Sequence, residues 1–495
     1  MKFSDKLFIP GIIILIGHFF YRLIDQSQML KVFPLDYTND WASHIAKIFF
    51  LENCGFFQYC EYWYNGFTLF ELYPPGYFLF TWLIQVITNN YLVTAFVSMV
   101  LLFTIGFLIL WKLGKQEHLS KLKRAAFFSF YFLNAIPIGD YIRLGRMPEL
   151  FAWVTFLGFA TTLFYFRNKK LNKYFFLTSI LYAVILISHQ TVAILASVLW
   201  ISIFLAQKEK LKVIAGFLLG VLLSSWWTVR YFIASQGTST YSYVLSRWLF
   251  DFKVLIWTNI AAMIIPLGTL ILFYGYIKDR DKNELLFFAP PMIITSLVLL
   301  RVVPFIPILK FVYPDPYLNF ILFFGLFFLL TSNYKSYNKL IAMVITVVII
   351  VGPIAGVAVN IVKTPRFVGH GEVEENAIMV LKEVNGRFLM VHSPYETLYS
   401  KAFFAYAPIY HGKITAGGWN EQFKPKEYNQ RIIDLDKHIE RKDCDKFEEI
   451  ISSLNVTEVI TFNDHCETLI SCGWNKKSQK GNVCLFEVKG RIFTK

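Results

Sequence analysis

Apolar runs separated by short basic clusters fill residues 1–361, and this alternation restricts the possible folds more than any other feature of the chain. A helix of about 20 residues crosses a bilayer. The runs place crossings at about 7–24, 91–112, 124–139, 149–167, 173–188, 190–206, 211–232, 252–277, 285–303, 316–332 and 339–361. Composition agrees, since 56% of the residues are hydrophobic and 17% charged, which excludes an ordinary soluble domain. The expected fold is a polytopic α-helical membrane protein with about 11 transmembrane helices. Leu7–Ile24 lacks a small-residue cleavage site, so it reads as a retained membrane helix with Met1–Lys6 in the cytosol.

A formal net charge of +14 would suit a nucleic-acid partner. The cations, however, cluster at Lys112–Arg124, Arg167–Lys173, Lys208–Lys212, Lys278–Lys282 and Lys335 with Lys339, between alternate spans. That is the bias of cytosolic loops, so the charge reports topology and no nucleic acid is expected as a partner. An odd number of crossings puts the C-terminus outside. Tyr73–Thr88 is also apolar, but a full crossing there would move Lys112–Arg124 to the outer face. It reads instead as a re-entrant or juxtamembrane helix opened by Pro74-Pro75.

From Lys363 onward the composition turns mixed and polar, which divides the chain into a transmembrane module, 1–361, and a soluble extracytoplasmic domain, 362–495. Helix-like Glu372–Val384 and Asp445–Leu454 alternate with strand-like Arg387–His392, Val456–Phe462 and Val483–Val488, the pattern of a small α/β unit. Cys54, Cys60, Cys444, Cys466, Cys472 and Cys484 all fall on the outer side, where disulfides persist. Cys54 and Cys60 would close a small loop. Spacing fixes no pairing, and a reduced or unpaired state stays open. No paired CxxC spacing supports zinc. Asn455-Val456-Thr457 is a lone glycosylation sequon, a pattern that arises readily by chance.

The outer loops, 25–90 and 139–149, carry the candidate chemistry. In the first, Asp40, His44 and Lys47 stand at i, i+4 and i+7, one face of a helix over Trp41–Phe50. Ile45, Ile48 and Phe49 would then be offered to lipid. In the second, "IPIGDYIRLGRMPEL" crowds Asp140, Arg143, Arg146 and Glu149 together at the mouth of two spans. A charge near hydrocarbon costs roughly 2.5–3.5 kcal/mol at the bilayer centre, so such residues usually face a polar cavity. Blander readings stay open: Asp40 caps its helix, or an Arg–carboxylate pair snorkels to the surface. Other polar groups recur at outer span ends: Ser188-His189-Gln190, Arg230, Arg247, Arg301 and Lys310. A lone His there is more often structural than catalytic. Two acids on separate loops with several outer cations describe a site that activates an acceptor and holds a phosphate, which Arg matches through its fork of donors.

The runs "DYTNDWASHIAKI", "YWYNGFTLFELYPPGYF", "GRMPEL" and "SHQTVA", in this order, resemble the GT-C superfamily of membrane glycosyltransferases. Within it the likeness is to prokaryotic membrane proteins often labelled "6-pyruvoyl-tetrahydropterin synthase related", a label that misdescribes the implied chemistry. The resemblance implies a GT-C-like catalytic module in 1–361. It also implies inverting-type transfer of a sugar from a polyprenyl-phosphate carrier to a glycan, lipid or protein acceptor, at the outer face of a prokaryotic plasma membrane. Asp40 takes the place of the first-loop acid, which acts as base or orients the acceptor, and Glu149 that of the second acid after an Arg-rich turn. Arg143, Arg146, His189, Arg247 and Arg301 are the candidates for the donor phosphate. His44, Asp140 and Tyr73 are candidates on the acceptor side or in support.

Two departures qualify the resemblance. Relatives place a Lys-Gly-Pro-like turn near the donor phosphate where this chain has Ser188-His189-Gln190. Oligosaccharide-transferring members carry a WWDYG-like motif, of which "TAGGWNEQF", Thr415–Phe423, is only a faint echo, so en bloc transfer to Asn is not expected. No cofactor is required, although Asp40, His44 and Glu149 could ligate a divalent metal. An apolar groove beside the Phe-rich spans would take the isoprenoid tail, although abundant Phe is more often plain lipid-facing bulk. The competing classes are a transporter, whose symmetric Gly/Pro-broken halves are not evident, and a non-enzymatic glycolipid-binding envelope protein.

Overall fold

Long runs of Leu, Ile, Val and Phe fold as helices because in hydrocarbon every backbone N–H and C=O must be paired within its own segment. The structure, a computed structural model, describes residues 5–35, 40–236, 238, 244–253, 255–278, 280–332, 339–391 and 400–488. Asp36–Asn39 of the first outer loop, Lys335 and His392 lie outside the described residues. α1 (Ile9–Gln26) leads to α2 (Trp41–Cys54), the antiparallel pair β1 (Tyr59–Cys60) and β2 (Phe67–Thr68), and α3 (Gly76–Thr88). The apolar bundle continues through α4 (Tyr91–Gln116), α5 (Lys121–Phe132), α6 (Ala135–Pro137), α7 (Met147–Phe166), α8 (Leu177–Leu186) and α9 (Gln190–Ala206). It closes with α10 (Lys210–Ala234), α11 (Ile256–Ile277), α12 (Lys282–Leu299), α13 (Pro314–Thr331) and α14 (Lys339–Lys363).

Among the described residues, eight helices are long and apolar enough to cross a membrane, and Gly76–Thr88, Lys173–Leu186 and Gln190–Ala206 are shorter apolar helices. α3 has 13 residues, about 20 Å of helix against a hydrocarbon core of about 30 Å. The run expected to cross over 124–139 does not continue as one helix. α5 stops at Phe132, where Asn134 donates back to the Tyr131 carbonyl (2.7 Å) and accepts from the Ile136 amide (3.0 Å). Pro137 then leads into a π-helical turn, Ile138–Arg143, that carries Asp140. At another bundle end, Arg167 pairs with Glu117 (2.8 Å) and Glu284 (2.7 Å), tying α7 to the loop after α4 and to α12.

α2 corrects a second expectation. Ile45, Ile48 and Phe49 are not offered to lipid: they are 0%, 2% and 8% exposed. The helix is sandwiched, because α3 and α4 pack on one side and α16 (Ser400–His411) on another. An apolar helix face buries itself against whatever covers it, and protein covers this one.

After α14 come α15 (Glu372–Lys382), β3 (Phe388–Met390), α16, α17 (Lys426–Glu440), α18 (Cys444–Ser453), β4 (Glu458–Phe462), α19 (Asp464–Ser471), β5 (Asn475–Lys480) and β6 (Val483–Glu487). The four strands form one sheet in the order β3-β4-β6-β5. β3 runs parallel to β4, the other pairs are antiparallel, and Val459 sits opposite Phe486. β5, Asn-Lys-Lys-Ser-Gln-Lys, has no apolar alternation to betray it as a strand. It is the sheet edge, where charged side chains discourage further pairing. Disulfides join Cys54–Cys60, Cys444–Cys472 and Cys466–Cys484, the last two stapling α18 and β6 to α19 and its C-terminal turn. This unit grips the loop between α2 and α3: the Thr415 amide donates to the Tyr62 carbonyl (3.0 Å), the Tyr64 amide to Gly417 (3.0 Å), and the Trp63 indole to Phe404 (2.7 Å).

Candidate active site

The start of α2 fastens the loops 25–90 and 139–149 together. The Asp40 amide donates to the Leu144 carbonyl (2.6 Å) and the Trp41 indole to the Ile142 carbonyl (3.0 Å). Gly145, at φ +73°, lies against the Trp41 ring, where a Cβ would come within 2.7 Å. Only glycine meets both the left-handed backbone and that contact. The turn brings the Arg146 amide to the Asp140 carbonyl (3.0 Å) and its guanidinium between two carboxylates. Nη1 lies 3.4 Å from Asp140 and 3.3 Å from Asp315, which opens α13 between two prolines.

Four acids surround this one cation. Burial pushes the Asp140 carboxyl well above its ordinary range, with Arg146 opposing and Asp315 and Glu149 reinforcing, and its Oδ2 has no hydrogen-bond partner among the described residues. For Arg146, burial works against the charge, but Asp140, Asp315, Glu149 and Asp40 outweigh it and hold the guanidinium protonated. Glu149, in α7, is 4% exposed and accepts from the Trp153 indole (3.1 Å). Asp40 stands at the N-cap position of α2 yet makes no capping side-chain bond. Its Oδ1 accepts from the Trp419 indole instead (3.1 Å).

A cavity of about 510 Å³ opens beside these groups, walled by Tyr73, His189, Gln190, Tyr313 and the stretch Trp419–Gln422. That volume is in the range of small-ligand sites. Asp40 meets this wall through Trp419, and Arg146 through its charge, which reaches His189 and Tyr313. The Gly76 amide donates to the Ile187 carbonyl (2.8 Å), which fixes the turn carrying His189. His189 shares a hydrogen bond with Thr191 Oγ1 (2.9 Å), and burial, then Arg146, lowers the imidazole to about 3. A neutral ring can exchange a hydrogen bond with a ligand but brings no charge to a phosphate.

Lys47 is fully buried behind two residues of the cavity wall, with Nζ 4.3 Å from the Tyr73 ring centre and bonded to Asn420 Oδ1 (2.5 Å). Burial pushes its ammonium down to about 7, against the pull of Asp40.

The structure thus gathers Asp40, Asp140, Arg146 and Glu149 into one charged cluster beside the cavity, which Tyr73 and His189 themselves line. His44, 2% exposed, sits among the rings of Tyr73, Tyr77 and Phe78 and does not reach the cavity. Arg143 turns away to the Pro365 carbonyl (3.0 Å), beside Arg22, which binds the Asn360 and Thr364 carbonyls (both 2.9 Å) at the end of α14. Arg301 is held by the Leu249 carbonyl and Asn259 (3.2 Å), and Arg247 is exposed on the short helix Leu245–Phe250. Neither lines the cavity. Asp40, His44 and Glu149 do not form a metal set: among the described residues no three His, Cys, Asp or Glu side chains come together to hold an ion. Sequence reasoning missed Asp315 and Trp419. An acid between prolines at the mouth of a span marks the first, and the glycine pair before it marks the second.

The fold, an apolar helix bundle whose loops 25–90 and 139–149 carry a charged cluster, is similar to that of solved membrane glycosyltransferases. Two solved structures share it: the arabinofuranosyltransferase AftD from Mycobacteria, at TM-score 0.60 and 13% identity over 99% of this chain, and the oligosaccharyltransferase AglB from Archaeoglobus fulgidus, at 0.55 and 10% over 90%. The latter was solved with an inhibitory peptide and a dolichol-phosphate. This chain spans 42% of the AftD chain and 69% of AglB. No protein-family model and no curated protein matches the sequence. The fold expected from the loop motifs is therefore the one found.

Proposed function

We propose that this chain is a glycosyltransferase that moves a sugar from a polyprenyl-phosphate carrier to an acceptor hydroxyl at the outer membrane face. The acceptor oxygen attacks the anomeric carbon as its proton passes to the Asp40 carboxylate. The bond from that carbon to the carrier phosphate breaks, and the phosphate leaves with its charge facing Arg146. A single displacement of this kind inverts the anomeric centre. Glu149, buried against Trp153, acts through Arg146 and does not touch the acceptor. The oxidised cysteines fit an outer location for the loops.

One observation carries this reading: the bond from the Asp40 amide to Leu144, which sets a carboxylate and a firmly charged arginine side by side at the edge of a ligand-sized cavity. The test uses the full chain in detergent with a short-chain polyprenyl phosphate and the corresponding sugar-loaded carrier. The wild type should bind the carrier and release it from the sugar. Carrier binding that is indifferent to Arg146→Ala would overturn the assignment of the phosphate, and binding with no transfer to any acceptor would leave a glycolipid-binding protein.

A further inference from the structure

Trp419 is the point at which the unit after α14 touches Asp40. Its indole donates to the carboxylate (3.1 Å), and its half-buried ring forms part of the cavity wall. The residues on either side are pinned. A Cβ on Gly418 would run into the Tyr64 ring, so the backbone there lies flush on α2's neighbouring loop. Asn420 accepts from Lys47 (2.5 Å) and Ser43 (3.2 Å), both on α2. An indole held this way fixes the direction of the carboxylate and, one hydrogen bond away, the position of a flat apolar face.

The rest of the wall narrows what can lie on that face. Tyr73 and Tyr313 add further rings, and Gln190, Asn420 and Gln422 add neutral amides. Among the described residues that line the cavity, Glu421 alone carries a formal charge, and it pairs with Lys401 (3.0 Å). Flat rings beside neutral donors and acceptors suit a molecule with C–H groups on its faces and hydroxyls around its rim.

We propose that the acceptor is a carbohydrate and that Trp419 positions it: the sugar ring rests on the indole face while the same indole's N–H holds Asp40 towards the attacking hydroxyl. The inference rests on the glycosyl-transfer reading, and its test separates the two. Saturation-transfer NMR of the full chain in detergent would be run with methyl hexosides, methyl pentosides, and a neutral peptide amide as the competing class. The glycosides should show contact strongest at ring C–H protons, the peptide none. Trp419→Ala should weaken glycoside binding at least tenfold while carrier binding, which reports on Arg146, stays within threefold. Trp419→Phe keeps a ring and loses the N–H, so glycoside binding should hold within threefold while kcat falls and the acceptor KM does not. Peptide contact in place of sugar contact in the wild type, or full glycoside binding by Trp419→Ala, would overturn the proposal. If the alanine variant fails to bind carrier and so has not folded, the wild-type comparison and the phenylalanine kinetics still decide it.

Discussion

The backbone amide of Asp40 lies 2.6 Å from the carbonyl of Leu144, so the first turn of α2 is fastened to the loop carrying Arg146. A carboxylate that spends no bond on capping its own helix is left with Trp419 and the cavity. Asp40→Asn keeps the shape and an acceptor oxygen for the indole but cannot take a proton at neutral pH. Transfer should fall by about 10²-fold or more, the usual weight of a general base, with carrier binding and thermal midpoint preserved. Mass spectrometry of the glycosylated product measures the first and a detergent melt the second. Full activity in the variant would remove Asp40 from the chemistry.

Arg146 pairs with two acids and, in the proposed mechanism, also faces the carrier phosphate, and the variants separate these roles. Lysine keeps the charge but loses the planar fork, so Arg146→Lys should bind the carrier about tenfold more weakly. Arg146→Ala should also lose stability, up to about 3 kcal/mol, because removing one partner leaves the others buried and uncompensated. Adding Asp315→Asn to Arg146→Ala should recover part of that loss without restoring carrier binding. A double variant no more stable than the single one would mean that the other acids around Arg146, and not Asp315, carry the coupling.

Every cysteine among the described residues is paired, so alkylation of the unreduced protein should label none and alkylation after denaturing reduction all six. The Cys466–Cys484 bridge closes a separation of 18 residues, for which loop-closure entropy gives about 3 kcal/mol. Replacing both by serine should lower the melt of the sheet-bearing unit and leave the apolar bundle folded. Labelling of any cysteine before reduction would contradict the pairing.

The sequence's legibility follows the physics of each part. Hydrocarbon tolerates little but helix, so most of the apolar runs could be read directly as helices, and even the ends of α15, α18 and β4 fell within a few residues of expectation. The loop acids were legible because charge beside grease needs a reason. What escaped was contact between distant segments. No local pattern says that α2 lies under α16, which is why Ile45 and Phe49 seemed destined for lipid. Nor does any pattern say that Arg143 and Arg301 will satisfy backbone carbonyls, since arginine reads alike whether it meets a phosphate or a helix end. Asp315 and Trp419 reach the site from far along the chain, and only the fold brings them to it.

Lys47 gives the stability of the protein a pH dependence of definite sign. In the unfolded chain its ammonium holds a proton up to about 10.4, whereas in the fold burial lowers it to about 7. Between those values the unfolded state binds the extra proton, so stability rises with pH. Below 7 both states are charged and the cost of burying the ammonium is fully present. Thermal midpoints of the wild type should therefore climb, relative to Lys47→Met, by the equivalent of up to about 1.4 kcal/mol per pH unit from about pH 7 to 9. The methionine variant removes the titrating group and keeps the apolar stem, so the difference between the two curves isolates this one residue from every other group that titrates in the range. A flat difference would mean that Lys47 stays charged throughout, held by Asp40, Asn420 and the ring of Tyr73 more firmly than burial opposes it.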